Sequence, residues 1–331
     1  MKTLRLCFLI LLAAGLAGCG PTYPKEKLAD AVVGVCKKEY HIDVKSKLVG
    51  KTLAIYLPLT NLLDPNFGIS EKALDTIQDV IMSASRVALS SDAGVQFYCI
   101  IAQDVKLPEL QVVIIRYIED IKRLILMDVS RGESVKRMLW DMNINPQAKK
   151  EEEIREIFKK HSLNPDYEEQ ILNDFFRSRP VTLKDFGYWQ GRFYVRDITL
   201  PEFLAEQMIY RIKLRFKENK EMLEKFYVRK LTADYNEEED SGVFKVNFDV
   251  KVDEVLYSLG QETGVRELFG DIFEEVSDCL YDYQFKAFGS VDVNDINSKD
   301  RLTVTRDEIY AFKKHRLALS AIMGQIEPSG I

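Results

Sequence analysis

The sequence predicts an α+β fold in two lobes, each an antiparallel sheet with helices packed on one face. Three observations predict it. Phe244, Val246, Phe248, Val250 and Val252 alternate with Lys245, Asn247, Asp249 and Lys251, the period-two pattern of a strand with one wet face. Leu74, Ile77, Val80, Ile81, Ala84 and Val87 keep a helical period instead. The order strand, strand, helix, strand, strand occurs twice, and hairpins flanking a single helix favour sheets covered on one side.

Taken in order, Leu28, Ala31, Val32, Val35 and Cys36 lie at helical spacing, so a first helix ends near His41. Ile42 to Leu48 and Lys51 to Leu59 read as strands joined at Val49-Gly50. Ser70 can cap the next helix. Val95 to Gln103, Leu110 to Tyr117 and Ile121 to Met127 read as three strands, and the branched run Val112 to Ile115 marks one buried on both faces. Ser130 and Glu133 have capping-box spacing, predicting a helix through Val135, Met138, Leu139 and Met142. Ile154, Ile157 and Phe158 mark one connector helix, and Asn164 with Pro165 starts another through Ile171, Leu172 and Phe175.

A hairpin from Phe186 to Val195, turning at Gln190-Gly191, opens the second lobe. Thr199 and Glu202 then start a long helix through Phe203, Leu204, Met208 and Ile212. Strands from Phe226 to Tyr235 and Val243 to Val252 precede a helix whose face carries Val265, Leu268, Phe269, Ile272, Phe273, Val276, Cys279 and Leu280. Phe285 to Val293 and Arg301 to Thr305 read as returning strands. The expected divisions are a signal peptide (1–18), a tether (19–27), an N-terminal lobe (28–146), a helical connector (147–182), a C-terminal lobe (183–316) and a tail (317–331).

The 331 residues carry a net charge of -6, which argues against nucleic acid as a partner. Three His and five Cys without a CxxC pair make a zinc or haem centre improbable, so no cofactor and no metal is expected. No GxSxG, SxxK, HExxH or Rossmann glycine pattern is present. Gly50-Lys51-Thr52 has the ending of a phosphate loop, but Lys45 stands where the upstream glycine is required. The run Asp292 to Asn297 lacks the glycine and the twelfth-position Glu of a calcium loop. The acids Glu237 to Asp240 read as a solvated hairpin turn.

Lys2 and Arg5 precede an apolar run from Leu6 to Gly18, too short to span a bilayer but suited to a secretion signal. Its end, Leu16-Ala17-Gly18-Cys19, resembles the lipobox of bacterial lipoproteins at all four positions. The resemblance covers this targeting segment alone. It implies cleavage before Cys19, acylation of Cys19, and a membrane partner engaged through the acyl chains. Gly20 stands where lipoproteins retained in the inner membrane usually carry Asp, so the expected address is the outer membrane, facing the periplasm. Loss of Lys2 and Arg5 with the signal takes the net charge to -8, so acyl chains rather than anionic headgroups must hold the protein. Cys36, Cys99 and Cys279 then remain, each on an apolar face, and read as buried thiols.

The segment Phe186 to Tyr194 packs five aromatics and an Arg into nine residues. Tyr188, Trp189, Arg192 and Tyr194 are the candidate contacts to a protein or glycan partner. The expected function is therefore a non-catalytic, lipid-anchored envelope protein acting as accessory or scaffold. The alternative is an envelope hydrolase working on peptidoglycan or polysaccharide through a carboxylate pair. A small-ligand site between the lobes is a third expectation.

Overall fold

The computed structural model describes residues 23–237, 241–252 and 263–327. The lipobox 16–19 with Cys19, the signal residue Cys7, the acids Glu238, Glu239 and Asp240, and residues 328–331 of the tail lie outside the described residues. The fold is α+β, built on three mostly antiparallel sheets. The chain divides into two compact units, 1–198 and 199–331.

In the first unit Tyr23 pairs with Ser91 in an isolated parallel bridge, and Lys25–Lys27 turns into α1 (Leu28–Tyr40). Residues 23–27, expected in the tether, thus belong to the fold. His41 closes α1 in the left-handed region. Strands β1 (Lys45–Val49) and β2 (Thr52–Leu59) follow, then α2 (Glu71–Leu89), whose first turn is capped by the Ser70 hydroxyl accepting from Ala73 N–H. Next come β3 (Phe97–Asp104), β4 (Leu110–Tyr117), α3 (Ile118–Ile125), α4 (Arg131–Lys136) and β5 (Leu139–Ile144). The strands form one sheet in the order β1-β2-β3-β4-β5.

The sheet differs from the expected antiparallel one at β2 and β3, which run parallel from Thr52↔Phe97 to Leu59↔Asp104. The cause is α2. At about 1.5 Å per residue its 19 residues carry the chain back along the sheet, so the next strand starts from the same end. One face, with Leu53, Ile55, Leu57, Tyr98, Ile100, Val112 and Ile114, shares a core with Val32, Val35, Ile77, Val80 and Ala84 of α1 and α2.

Two further expectations fail here. Ile121 to Met127 is not a strand. Ile118 and Ile121, one helical turn apart, are buried in the core, while Ile125, Leu126 and Met127 point to solvent. The helix begun at Ser130 stops at Lys136, and Leu139–Ile144 pairs with β4 instead. As an edge strand it leaves Met142 and Ile144 exposed, so it carries no clean alternation.

Buried Asp104 closes β3, and its carboxylate accepts N–H bonds from Leu62 (2.8 Å), Lys106 (2.8 Å) and Leu107 (3.3 Å). Burial pushes its pKa up, but the three backbone donors and Lys106 more than offset this and hold it below the usual range. A depressed carboxyl stabilises the fold above its unfolded pKa of about 3.9 and stops doing so as pH falls through the lower folded value. Asp104→Asn should therefore cost about 1–2 kcal/mol at pH 7 and flatten the acid limb of stability against pH. Urea titrations between pH 2 and pH 7 measure both.

The first unit ends with α5 (Pro146–Lys160), α6 (Pro165–Arg177), β6 (Gly187–Trp189) and β7 (Arg192–Tyr194), and the second opens on α7 (Leu200–Glu218), with the Thr199 hydroxyl accepting from Glu202 N–H. It continues through α8 (Lys220–Lys225), β8 (Phe226–Glu237), β9 (Gly242–Val252), α9 (Thr263–Asp282), β10 (Ser290–Asp295) and β11 (Arg301–Thr305). A capping box between Thr305 and Glu308 then starts α10 (Arg306–Lys313), and α11 (Leu319–Met323) follows in the segment expected to be tail. The sheet order is β11-β10-β9-β8, and here too the central pair, β9 with β10, is parallel across a helical crossover. Phe244, Phe248, Phe269, Phe273 and Phe288 fill the core, with Phe248 edge-on to Phe269 at 5.0 Å. Both units thus contain two hairpins joined by a long helix, paired in the same way. Cys36, Cys99 and Cys279 are buried, and burial pushes the Cys36 and Cys99 thiols up. Among the described residues no helix is long and apolar enough to cross a membrane.

Candidate functional site

The segment expected to connect two lobes lies in the first unit. Asn145 caps α5 (Pro146–Lys160), accepting from Gln147 N–H at 3.0 Å, and Asn164 caps α6 (Pro165–Arg177) in the same way. Strands β6 (Gly187–Trp189) and β7 (Arg192–Tyr194) form the hairpin, and Gln190 and Gly191 both take positive φ, as a two-residue turn requires. The hairpin was expected to open the second lobe. It lies instead on the first sheet, whose second face it helps to cover, so that sheet is not layered on one side alone.

Buried amides hold it there. Gln111 Nε2 donates to Phe186 C=O (2.9 Å), Asn145 Nδ2 and Gln103 Nε2 to Tyr188 C=O (2.9 and 3.2 Å), and Gln147 Nε2 to Asp185 C=O (2.9 Å). Tyr188 stacks on Tyr56 with ring centres 3.7 Å apart, and its hydroxyl accepts from Lys45 Nζ at 2.8 Å. Burial, then the neighbouring Tyr188, raises the Tyr56 pKa. Tyr188 is consumed by packing, and Tyr194 is buried against Phe176 and Leu172. Neither is available to a partner: the pairs Tyr188↔Phe193 and Gly187↔Tyr194 put them on opposite faces of the hairpin, and both are buried against protein. Arg192 is exposed and Trp189 half-buried.

Trp189 lines an open groove of about 550 Å³ with Glu109, Ala148, Glu151, Glu152, Arg155, Glu156 and Lys159. All but Glu109 and Trp189 come from one side of α5, where residues three and four apart are neighbours. Glu151 organises the floor. Its Oε2 accepts from Trp189 Nε1 (2.8 Å) and Gln190 Nε2 (2.9 Å), and its Oε1 from Arg155 Nε (3.0 Å) and Nη2 (2.9 Å). Arg155 also reaches Glu168 and, at 3.6 Å, Glu169 on α6. The Glu151 hydrogen bond is the main reason its pKa is raised. Behind the indole lie Ile154, Leu172 and Phe175.

The groove therefore offers an aromatic edge held by a carboxylate, further carboxylates at Glu109, Glu152 and Glu156, and cations at Arg155 and Lys159. That lining suits a hydrogen-bonding ligand of neutral or positive charge. Of the four expected contacts the structure brings only Trp189 to the groove wall. The α5 residues were missed because a charged helix face looks like a solvated surface. Their only signal was the spacing of Ala148, Glu151 or Glu152, Arg155 or Glu156, and Lys159. Among the described residues no group of three or more His, Cys, Asp or Glu is arranged to hold a metal ion. Compared with protein-family models, curated proteins and solved structures, the chain matches none.

Proposed function

We propose that the protein is a non-catalytic, lipid-anchored envelope protein, acylated at Cys19 and located in the outer membrane facing the periplasm. It acts as an accessory or scaffold, binding a protein or glycan partner through the Trp189 groove. One observation carries the binding role: Glu151 fixes the indole from the α5 side with the protein's own donors, giving a preformed recognition surface. Every Glu151 oxygen is engaged in this way, which suits a structural carboxylate better than a proton donor.

The test is cross-linking of the full-length protein in its native envelope, followed by detergent extraction and identification of what copurifies in stoichiometric amount. Glu156→Arg reverses an exposed charge in the groove without touching the core. It should reduce capture at least tenfold, while Trp189→Ala should abolish it. Undiminished capture by both variants moves the partner site elsewhere. The second reading, an envelope hydrolase, rests on Glu109, Glu152 and Glu156 sharing the groove. Turnover of peptidoglycan or polysaccharide that is lost in a Glu→Gln variant of one of them would establish it instead.

A further inference from the structure

We propose that the exposed end of α3 and the loop after it, Ile125-Leu126-Met127, dock into the lipid bilayer beside the acyl anchor and fix the first unit on the membrane. The inference rests on the reading that Cys19 is acylated. These three consecutive side chains are 61%, 77% and 91% exposed, and Val135 on the adjoining α4 is also exposed. Large apolar groups gathered at one surface mark a docking site, and a short apolar insertion is what an interfacial contact needs.

Position names the occupant. Residues 118–138 join the end of β4 to the start of β5, as the pairs Phe97↔Tyr117 and Ile115↔Leu139 show. The excursion therefore leaves and re-enters the sheet at one end, and α3 is only about 12 Å long by its rise per residue. The chain enters the fold at that same end: Tyr23 N–H donates to Ser90 C=O at 3.3 Å, just before β3 begins. Four residue steps separate Cys19 from Tyr23, a reach of at most about 14 Å. An acylated Cys19 thus holds this end of the sheet at the bilayer surface.

The charges bordering the loop are compensated. Lys122 pairs with Glu119 at 2.8 Å and Arg123 with Asp128 at 2.6 Å. The contact is therefore apolar and does not require anionic lipid. An internal control exists at the opposite end of the sheet, where Leu107 in the β3–β4 turn is 56% exposed.

The test uses the full-length lipidated protein in phosphatidylcholine vesicles containing brominated acyl chains, which quench indole on contact. Met127→Trp and Leu107→Trp each add one indole to the two native ones, and the parent protein supplies the baseline. The Met127→Trp indole should lose at least half its emission, with a blue shift, while the Leu107→Trp indole is unaffected. Equal quenching at the two positions would overturn the docking. Mass spectrometry of the N-terminal peptide, with Cys19→Ser as control, separates the two ideas. An acylated Cys19 with no quenching at 127 removes the docking alone, whereas an unmodified Cys19 removes both.

Discussion

Arg215→Ala should destabilise the second unit by about 2–3 kcal/mol at neutral pH, less than the roughly 3–5 kcal/mol for breaking a fully buried pair because the network is partly solvated. Arg215 reaches from α7 to three carboxylates on α9: Asp271, Glu274 at 2.9 Å and Glu275 at 3.0 Å. Burial works against the charged guanidinium, but the carboxylates outweigh it and hold its pKa above the usual range. Without Arg215, acids at i, i+3 and i+4 repel one another on one face of a helix with their counter-ion gone. Burial already raises Glu275 despite the Arg215 hydrogen bond, so protonated Glu275 stabilises the fold below its unfolded pKa. That contribution is lost as pH rises through the higher folded value. In the variant Glu275, its Arg215 hydrogen bond gone, should move further in this direction, so the penalty should shrink as pH falls. Adding Glu274→Gln and Asp271→Asn to Arg215→Ala should recover part of the loss at pH 7. Far-UV circular dichroism in urea reports it, because Trp140 and Trp189, the only tryptophans, belong to the first unit.

Local chemistry was legible in the sequence. Ser70, Asn164-Pro165, Thr199 and Gln190-Gly191 mark their helix starts and hairpin turn where the structure has them. Pairing was not. The alternation of β9 suits an antiparallel ladder, and the long helices after β2 and β9 were read as cover for a sheet rather than as the crossovers that set β2–β3 and β9–β10 parallel. The segment from Ile118 to Ile144 failed because exposed apolar residues at Ile125 to Met127, Met142 and Ile144 blur both periods. Docking of the hairpin on the first sheet had a faint trace in Gln103 and Gln111, polar residues within otherwise apolar strands. Both proved to be the donors awaiting its carbonyls. The pairing of Trp189 with Glu151, 38 positions apart, left no local signal at all.

Gly187→Ala should dislodge that hairpin and cost the first unit about 2–3 kcal/mol, the range for forcing extra atoms into a packed interior. Gly187 opens β6 with ordinary backbone angles, so strain at φ is not the reason for glycine. The reason is space. An added Cβ would sit 2.6 Å from Gln147 Oε1, 3.0 Å from Gln111 Oε1 and 3.2 Å from Asn145 Oδ1. Those side chains cannot yield cheaply, since the nitrogens of the same amides donate to Phe186, Tyr188 and Asp185 carbonyls. Moreover, Gln111 Oε1 and Gln147 Oε1 are buried without a hydrogen-bond partner among the described residues and crowd the place a Gly187 Cβ would take. A methyl group there meets them in overlap, and relief requires turning the amides away from the carbonyls they satisfy. Trp189, two residues on, would then lose its place against Glu151, so its emission should shift red in the native state and its urea transition should move earlier. Gly191→Ala serves as the comparison: an added Cβ there meets nothing within 4 Å, and its cost comes only from the φ of +80°. A smaller loss from Gly187→Ala than from Gly191→Ala would mean that the amide layer tolerates a side chain, and that the hairpin is held chiefly by the Tyr56–Tyr188 stack.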